Sequence, residues 1–473
     1  MKHTKIIATV GPGHESRETH RALVEAGVDV FRINFSHGDE AQRSKFLQDI
    51  REVEREVGRT VVVYGDLCGP KIRVGMIADG EVELQAGRDM VIQRAPVDGT
   101  AACISTTLPE LVDVVQTGER IRLADGRLLL EVVKTSPPES FTCRVIVGGP
   151  LSNGKGVNLP ETQLPISALT EKDREDVRWI AQRDFDYVGL SFVQRAEDID
   201  ELRGLLETYD SRAHIIAKIE KPQALSHIDA IIATVDAVMV ARGDLGVEMD
   251  FPTVPITQKR IADKCRVAGK PCIIATEMLE SMIKAPRPTR AEVSDVANAV
   301  FDHADAVMLS AESSIGKYPL EAVDAMHRVV VAAEAFEFEN HGRVMDGVTL
   351  SNPITTAALA ASVHQIMRTQ PIAAIALFTA TGTTARLLAK NRPACPILAL
   401  ASQQSVARRT CLYYGVIPRV VEQPASVEQL VQQSVSLAQA LNLAVSGDHI
   451  IVLAGNPVGA AGGTKVLIVE QIP

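Results

Sequence analysis

Aromatic residues are scarce, at 4% of the chain, so a core must be built from Val, Ala, Leu and Ile. That palette suits the close layers of an α/β fold. Paired cysteines are missing as well. The seven present are scattered, odd in number and free of any Cys-x-x-Cys, which fits reduced thiols in a cytoplasm better than a disulfide framework. No apolar run approaches the ~18 residues of a membrane helix. The run from Ile6 to Val10 is too short for a signal peptide. Basic charge is in deficit: a net charge of −10 disfavours nucleic-acid and anionic-membrane partners. Anionic substrates must then find their cations locally. Low-complexity tracts and long linkers are absent too. What remains is a soluble globular composition, and 473 residues are enough for more than one domain.

Two short stretches organise the rest, Ile215-Ile216-Ala217-Lys218-Ile219-Glu220 and Ala237 to Gly246. Each reads as a short apolar strand ending in charge. A buried parallel strand is a continuous apolar run, so ionisable residues at its C-terminal end need a separate reason. In a (β/α)8 barrel that end carries the active site. Lys218 and Glu220 stand two apart and share a face, so an ammonium and a carboxylate enter one pocket. Asp244 follows the next strand and can meet them across the barrel mouth. Gly243 and Gly246 leave room for a ligand against the backbone. Two carboxylates offering only oxygen suit Mg2+ or Mn2+ rather than zinc. Taken alone, the stretches also fit a structural Lys218–Glu220 salt bridge.

In chain order, residues 5–10 read as a strand stopped by Gly11-Pro12-Gly13. Ser16 caps a helix to about Ala26, Gly27 closes it, and Val28 to Ile33 is the second strand. Arg32, Asn34 and Ser36 alternate beyond it and share one face. A charged helix covers about 40–57, and Val61 to Tyr64 is the third strand, ending in Gly65-Asp66. This order predicts a parallel sheet with right-handed crossovers. From about 72 to 158 short alternating runs take over, including a hairpin on Asp125-Gly126 and one short helical signal near Leu108–Val115. Alternation of strands and helices then resumes, with strands near 186–190, 213–219, 236–240, 271–275 and 305–309 and a last helix near 319–335. Three strands before the insertion and five after it make eight. The predicted fold class is therefore α/β: a (β/α)8 TIM barrel, residues 1–70 and 160–337, with an inserted all-β domain after strand 3. That insertion, residues 71–159, is expected to be a β-barrel lid. A C-terminal α/β domain, residues 338–473, holds strands near 372–378, 396–400, 416–421, 449–454 and 465–469.

Seven stretches stand in register at strand ends: Arg32 to Gly38, Gly65 to Arg73, Ala217 to Glu220, Met239 to Glu248, Ala275 to Met282, Pro288 to Glu292 and Ala306 to Glu312. The set, in this order and across essentially the whole chain, closely resembles the pyruvate kinase family. The resemblance implies transfer of a phosphoryl group from phosphoenolpyruvate to ADP, giving pyruvate and ATP, by a cytoplasmic homotetramer. It implies Glu220 and Asp244 as ligands of Mg2+ or Mn2+ and Lys218 as the cation that stabilises the phosphoryl group in flight. Arg32 would bind the substrate phosphate, and the backbone N–H groups of Gly243 and Asp244 its carboxylate. Thr276 would stand beside the carbon to be protonated, with Ser310 and Glu312 organising the proton-delivering water. Arg73 and Lys155 match nucleotide-phosphate contacts, with His37 nearby. Phosphoryl transfer is mostly positioning and charge neutralisation, so such a set of cations is chemically apt.

Three positions depart from the commonest family pattern: Lys71 replaces Glu, Leu67 replaces Thr and Glu277 replaces Gln. In members with Glu at the first position, K+ sits among the residues matching Asn34, Ser36, Asp66 and the carbonyl of residue 67. Lys71 brings an ammonium to that neighbourhood, so K+ is expected to be dispensable and the cluster vestigial. Lys71 turned to solvent is the alternative. Glu277 faces either the metal site or a neighbouring subunit. In the C-terminal domain Thr379, Thr381, Gly382, Thr383 and Thr384 lie between a strand and a helix. They resemble the family's effector-phosphate loop, covered by 454–459 and 462–464, for a sugar-phosphate or nucleotide effector; an ordinary helix cap also fits. A metal-dependent lyase or aldolase, and a non-catalytic sensor, are rival readings. The inserted domain with Arg73 and Lys155 opposes the first, and intact Lys218, Glu220 and Asp244 oppose the second.

Overall fold

The computed structural model describes residues 1–162, 164, 166–340, 355–455, 457–459 and 464–473. Strand β1 (Lys5–Val10) shows how the apolar runs are used. Ile6, Ala8 and Val10 face the surrounding helices, while Ile7 faces the barrel interior. A period of two thus divides one continuous run between two cores. Strands β2 (Val30–Asn34) and β3 (Val62–Asp66) follow, and the chain then leaves for the insertion. There it forms β4 (Glu81–Leu84), β5 (Asp89–Gln93), β6 (Cys103–Ser105), β7 (Arg120–Leu123), β8 (Leu128–Ser136), β9 (Ser140–Val147), β10 (Gly149–Ser152) and β11 (Val157–Asn158). It returns as β12 (Tyr187–Leu190), β13 (His214–Ile219), β14 (Ala237–Ala241), β15 (Cys272–Ala275) and β16 (Ala306–Leu309).

The eight strands outside the insertion close in the order β1-β16-β15-β14-β13-β12-β3-β2, all parallel. The first strand of the chain therefore completes the ring against the last one, with Lys5 opposite Ala306 and Ala8 opposite Leu309. The insertion bridges β3 and β12, which are neighbours in the wall. Helix signals are met by geometry. Ser16 accepts from the Thr19 N–H, Gly27 ends that helix at φ 119°, and Thr170 with Asp173 forms a capping box. The helix expected to stop near 335 runs Pro319–Asn340. Tertiary contact keeps its last turns: buried Glu334 accepts from the N–H groups of His3 and Thr4 and from the Thr4 hydroxyl.

The insertion has its own core of Ile, Leu and Val with Phe141. It is a six-stranded sheet, β11-β7-β8-β9-β5-β6, beside a two-stranded ribbon, β10-β4, and residues 73 and 74 bridge to both of its edges, Arg73 to Gly156 beside β11 and Val74 to Thr106 beside β6. Register shifts along β8–β9 bend the sheet locally. The Asp125-Gly126 hairpin is present, and Ala124, Asp125 and Gly126 all take positive φ. The C-terminal domain holds β17 (Ala374–Phe378), β18 (Ile397–Ala401), β19 (Val416–Val420), β20 (His449–Ala454) and β21 (Val466–Gln471), in the order β19-β18-β17-β20-β21. Its core is continuous with the side chains inside the barrel. It docks where the barrel strands begin: Lys390 pairs with Asp305 at 2.5 Å, Arg392 donates to the Ala304 carbonyl, and Gly415 donates to the His3 carbonyl. The opposite mouth is left to the insertion.

Candidate active site

Inward alternation carries charge to the C-terminal mouth. On β13 the inward residue Ile216 is followed two on by Lys218 and then, just past the strand, by Glu220; on β3, Val62 and Tyr64 are followed by Asp66. Lys218 Nζ has three hydrogens and meets three acceptors: Ser191 Oγ at 2.7 Å, Glu220 Oε1 at 3.0 Å and Asp66 Oδ1 at 3.2 Å. Arg32, from β2, donates to Asp66 Oδ2 from Nε at 2.7 Å and from its terminal nitrogen at 2.6 Å, and to Thr9 Oγ1 at 3.2 Å. The second oxygen of Glu220 accepts from the Phe192 N–H at 2.8 Å. Burial disfavours every one of these charges, and their mutual pairing decides the outcome. Desolvation pushes the Lys218 and Arg32 pKa down, but the carboxylates outweigh it and both stay above their ordinary values. Asp66 is held below the carboxylate range because Lys218 and Arg32 outweigh its burial. Glu220 goes the other way: burial raises it, Lys218 opposes, and the nearby Asp244 charge adds to the rise.

Asp244 lies in the first turn of the Arg242–Glu248 helix, directly after β14. Lys71 donates to its Oδ1 at 3.0 Å. Sequence reasoning expected Lys71 beside Asn34, Ser36 and Asp66; its ion-pair partner is instead the expected metal ligand. Asp66 is taken by Arg32 and Lys218, and Asn34 Oδ1 accepts from the Ser36 N–H at 3.1 Å. The Leu67 carbonyl accepts from the Ser191 hydroxyl at 2.8 Å, and the Leu67 side chain is buried. Oxygens of Asn34, Asp66 and Leu67 in the monovalent-cation set are thus engaged by protein partners.

Thr276 follows β15 with φ 71° and Glu277 with φ 55°, a strained pair for residues carrying a Cβ. Arg242 braces it, donating to the Ala275 and Thr276 carbonyls while paired with Asp295. Thr276 Oγ1 accepts the Gly243 N–H at 2.6 Å, so the amide expected to hold a substrate carboxylate is occupied by the threonine. Glu277 is exposed. Ser310 has its N–H bound to Glu312 Oε2 at 2.7 Å, and Glu312 Oε1 accepts from the Leu279 N–H at 3.0 Å. Glu312, expected to organise water, ties two mouth loops together.

Arg73 and Lys155 are brought together on the two crossings into the insertion, where Arg73 bridges to Gly156 and donates to the Gly154 carbonyl at 2.9 Å. Both are exposed, as is His37 beyond β2. The threonine loop is remote from these, in the C-terminal domain. Thr379 Oγ1 accepts from the Gly382 N–H, Thr381 and Thr383 share a hydrogen bond, and Thr384 bonds Thr464. Of the covering loop, Asn456, Gly462 and Gly463 lie outside the described residues. Sequence reasoning missed Ser191 and Phe192, which orient Lys218 and Glu220. Phe192 has φ 55°. The available signal was a serine directly after the apolar end of β12.

Three cations (Arg32, Lys71, Lys218) face three carboxylates (Asp66, Glu220, Asp244), and their charges cancel. A phosphate arriving here has no spare cation waiting for it. Glu220 and Asp244, both oxygen donors and close enough to raise one pKa, fit a divalent ion that brings the missing charge. Among the described residues no group of three or more His, Cys, Asp and Glu side chains is placed to hold a metal. Mg2+ takes one or two carboxylates and completes its shell with substrate and water.

A (β/α)8 barrel with cations, two metal-suited carboxylates and an inserted domain over its C-terminal mouth is an arrangement suited to a phosphotransferase. The family model "Pyruvate kinase, barrel domain" matches residues 1–323, and "Pyruvate kinase, alpha/beta domain" matches residues 357–470. A pyruvate kinase of Geobacillus stearothermophilus is 41% identical over all of this chain and 80% of its own length. One from Agrobacterium vitis is 42% identical over 100% of this chain and 97% of its own. Among solved structures, a pyruvate kinase from Cryptosporidium parvum superposes with a TM-score of 0.92 at 34% identity, covering 100% of this chain and 96% of that one. The chain belongs to the pyruvate kinase family and is a phosphotransferase.

Proposed function

We propose that this site transfers the phosphoryl group of phosphoenolpyruvate to ADP, giving pyruvate and ATP in the last step of glycolysis. The observation that carries the reading is the Lys218 ammonium, buried among Asp66, Glu220 and Ser191 with Arg32 on the far side of Asp66. Lys218 must exchange one of its three acceptors for a phosphoryl oxygen. The neutral Ser191 hydroxyl is the least costly to give up. Arg32 presents a planar fork suited to the substrate phosphate. Thr276 releases the Gly243 N–H to the substrate carboxylate and then stands beside the carbon to be protonated, near Ser310. Glu220 and Asp244 hold Mg2+ or Mn2+, which when bound polarises the enolpyruvyl and phosphoryl oxygens. Arg73 and Lys155 receive the ADP phosphates, with His37 at the edge. The insertion acts as a lid that excludes water.

K+ is dispensable in this reading, because Lys71 supplies a fixed cation and oxygens of Asn34, Asp66 and Leu67 are already engaged. The Thr379–Thr384 loop takes the phosphate of a sugar-phosphate or nucleotide activator. The enzyme works as a homotetramer in the cytoplasm. The test is pyruvate formation from phosphoenolpyruvate and ADP, with and without Mg2+. Turnover that requires all three is expected; pyruvate release without ADP would favour a lyase instead.

A further inference from the structure

The lid and the helix bearing Asp244 are joined by contacts that the chemistry above leaves unused. In the lid β11 pairs with β7, and Asn158 stands opposite Arg122. Directly opposite residues point to one face, and here both reach the Arg242–Glu248 helix. One terminal nitrogen of Arg122 donates to the Val247 carbonyl at 2.7 Å and to the Met249 carbonyl at 3.2 Å. These carbonyls end the helix, where a cation is favoured. Asn158 Nδ2 donates at 2.9 Å to Glu248 Oε1, which also pairs with Lys221. Glu248 is 2% exposed, so its carboxylate depends on these two partners. Lys221 is the residue after Glu220. At the other end of the helix, Lys71 on the lid stalk holds Asp244. A helix of seven residues has little stability of its own, and the lid holds it at both ends.

We infer that Arg122 is a positioning residue: with Asn158 it latches the lid onto the helix that carries Asp244, so closing the lid and fixing that carboxylate are one event. The effect on turnover rests on the assignment of Arg73 and Lys155 to the nucleotide. Arg122→Met keeps the side-chain stem and removes its donors; Arg122→Lys restores one cation. In the full chain without substrate, Arg122→Met is expected to speed amide hydrogen exchange at Met249, whose N–H closes the helix on Leu245, by about tenfold. In turnover the KM for ADP and the Mg2+ concentration for half-maximal rate should each rise about fivefold, with Arg122→Lys recovering part of these changes. Arg144→Met, which breaks only the exposed Arg144–Asp89 pair, should change none of these. Unchanged exchange at Met249 would overturn the latch. Faster exchange with an unaltered KM for ADP would overturn its link to turnover. The exchange arm needs no nucleotide, and Arg73→Ala tests that assignment separately.

Discussion

Replacing Lys218 by Met keeps the stem and deletes the ammonium from between two buried carboxylates. Its ion pairs of 3.0 and 3.2 Å each correspond to about 5 kcal/mol of Coulomb attraction at an effective dielectric of 20. Desolvation of all three groups offsets most of that attraction. What the variant loses is compensation for carboxylates that remain 1% and 2% exposed, a change of about 3 to 5 kcal/mol. Arg32 still holds Asp66 through its other oxygen, which places the loss near the lower figure. Glu220 keeps only the Phe192 N–H, so a divalent ion there should restore part of the deficit. Denaturant melts with and without Mg2+ should therefore show a larger metal stabilisation in the variant than in the parent. Catalysis should suffer separately. Loss of a preorganised cation at the transferring group costs on the order of 10²–10³ in kcat, about 3 to 4 kcal/mol. A folded Lys218→Met enzyme with kcat within about tenfold of the parent would refute the assignment.

Turnover in Tris or Na+ buffer should not respond to added K+, and Lys71→Glu should acquire K+ activation; strong activation of the parent would refute the fixed-cation reading. Thr383→Glu puts a carboxylate where an activator phosphate would bind, so activation by phosphorylated metabolites should vanish while basal turnover holds. Activation that survives unchanged places the effector elsewhere. His20 is packed on Phe31 and Phe46, and burial lowers its pKa from 6.5 to about 4. As pH falls below 6.5 the unfolded chain takes a proton that the folded chain refuses until about pH 4, so this stability is full above that window and is lost through it, by about 3 kcal/mol in all. His20→Phe should lose about 2 kcal/mol less than the parent in urea melts between pH 7 and pH 5; an identical loss would show that His20 does not set the acid limb.

The architecture was legible because barrel strands are short apolar runs whose ends alone carry charge. Lys218, Glu220, Asp66 and Arg32 could be placed on inward faces by counting in twos. Counting does not say what the tip of a side chain reaches. Lys71 and Asp244 are 173 residues apart, and their pairing depends on how the insertion leans over the mouth. Gly243 and Thr276 pair through a strained turn that a threonine does not advertise. Ser191 carries no motif that singles it out, and Glu312, expected to organise water, braces two loops. The lid's topology was harder still, since short alternating strands fix their faces but not their order.

The closure of β1 against β16 sets a timetable for synthesis. The first strand leaves the ribosome with one of its two neighbours about 300 residues away, roughly 15 to 60 s behind at ordinary elongation rates. Through that interval the nascent barrel is an open sheet with unpaired edges, the kind of surface that pairs with other chains. The lid faces no such delay: its strands lie between Glu81 and Asn158 in one contiguous stretch with a core of its own. It can fold while the barrel is still a fragment, holding the ends of β3 and β12 near each other before the wall between them forms. A chain stalled after the lid but short of β16 would therefore carry one finished domain and one sticky half-ring, and holdase chaperones should bind it there.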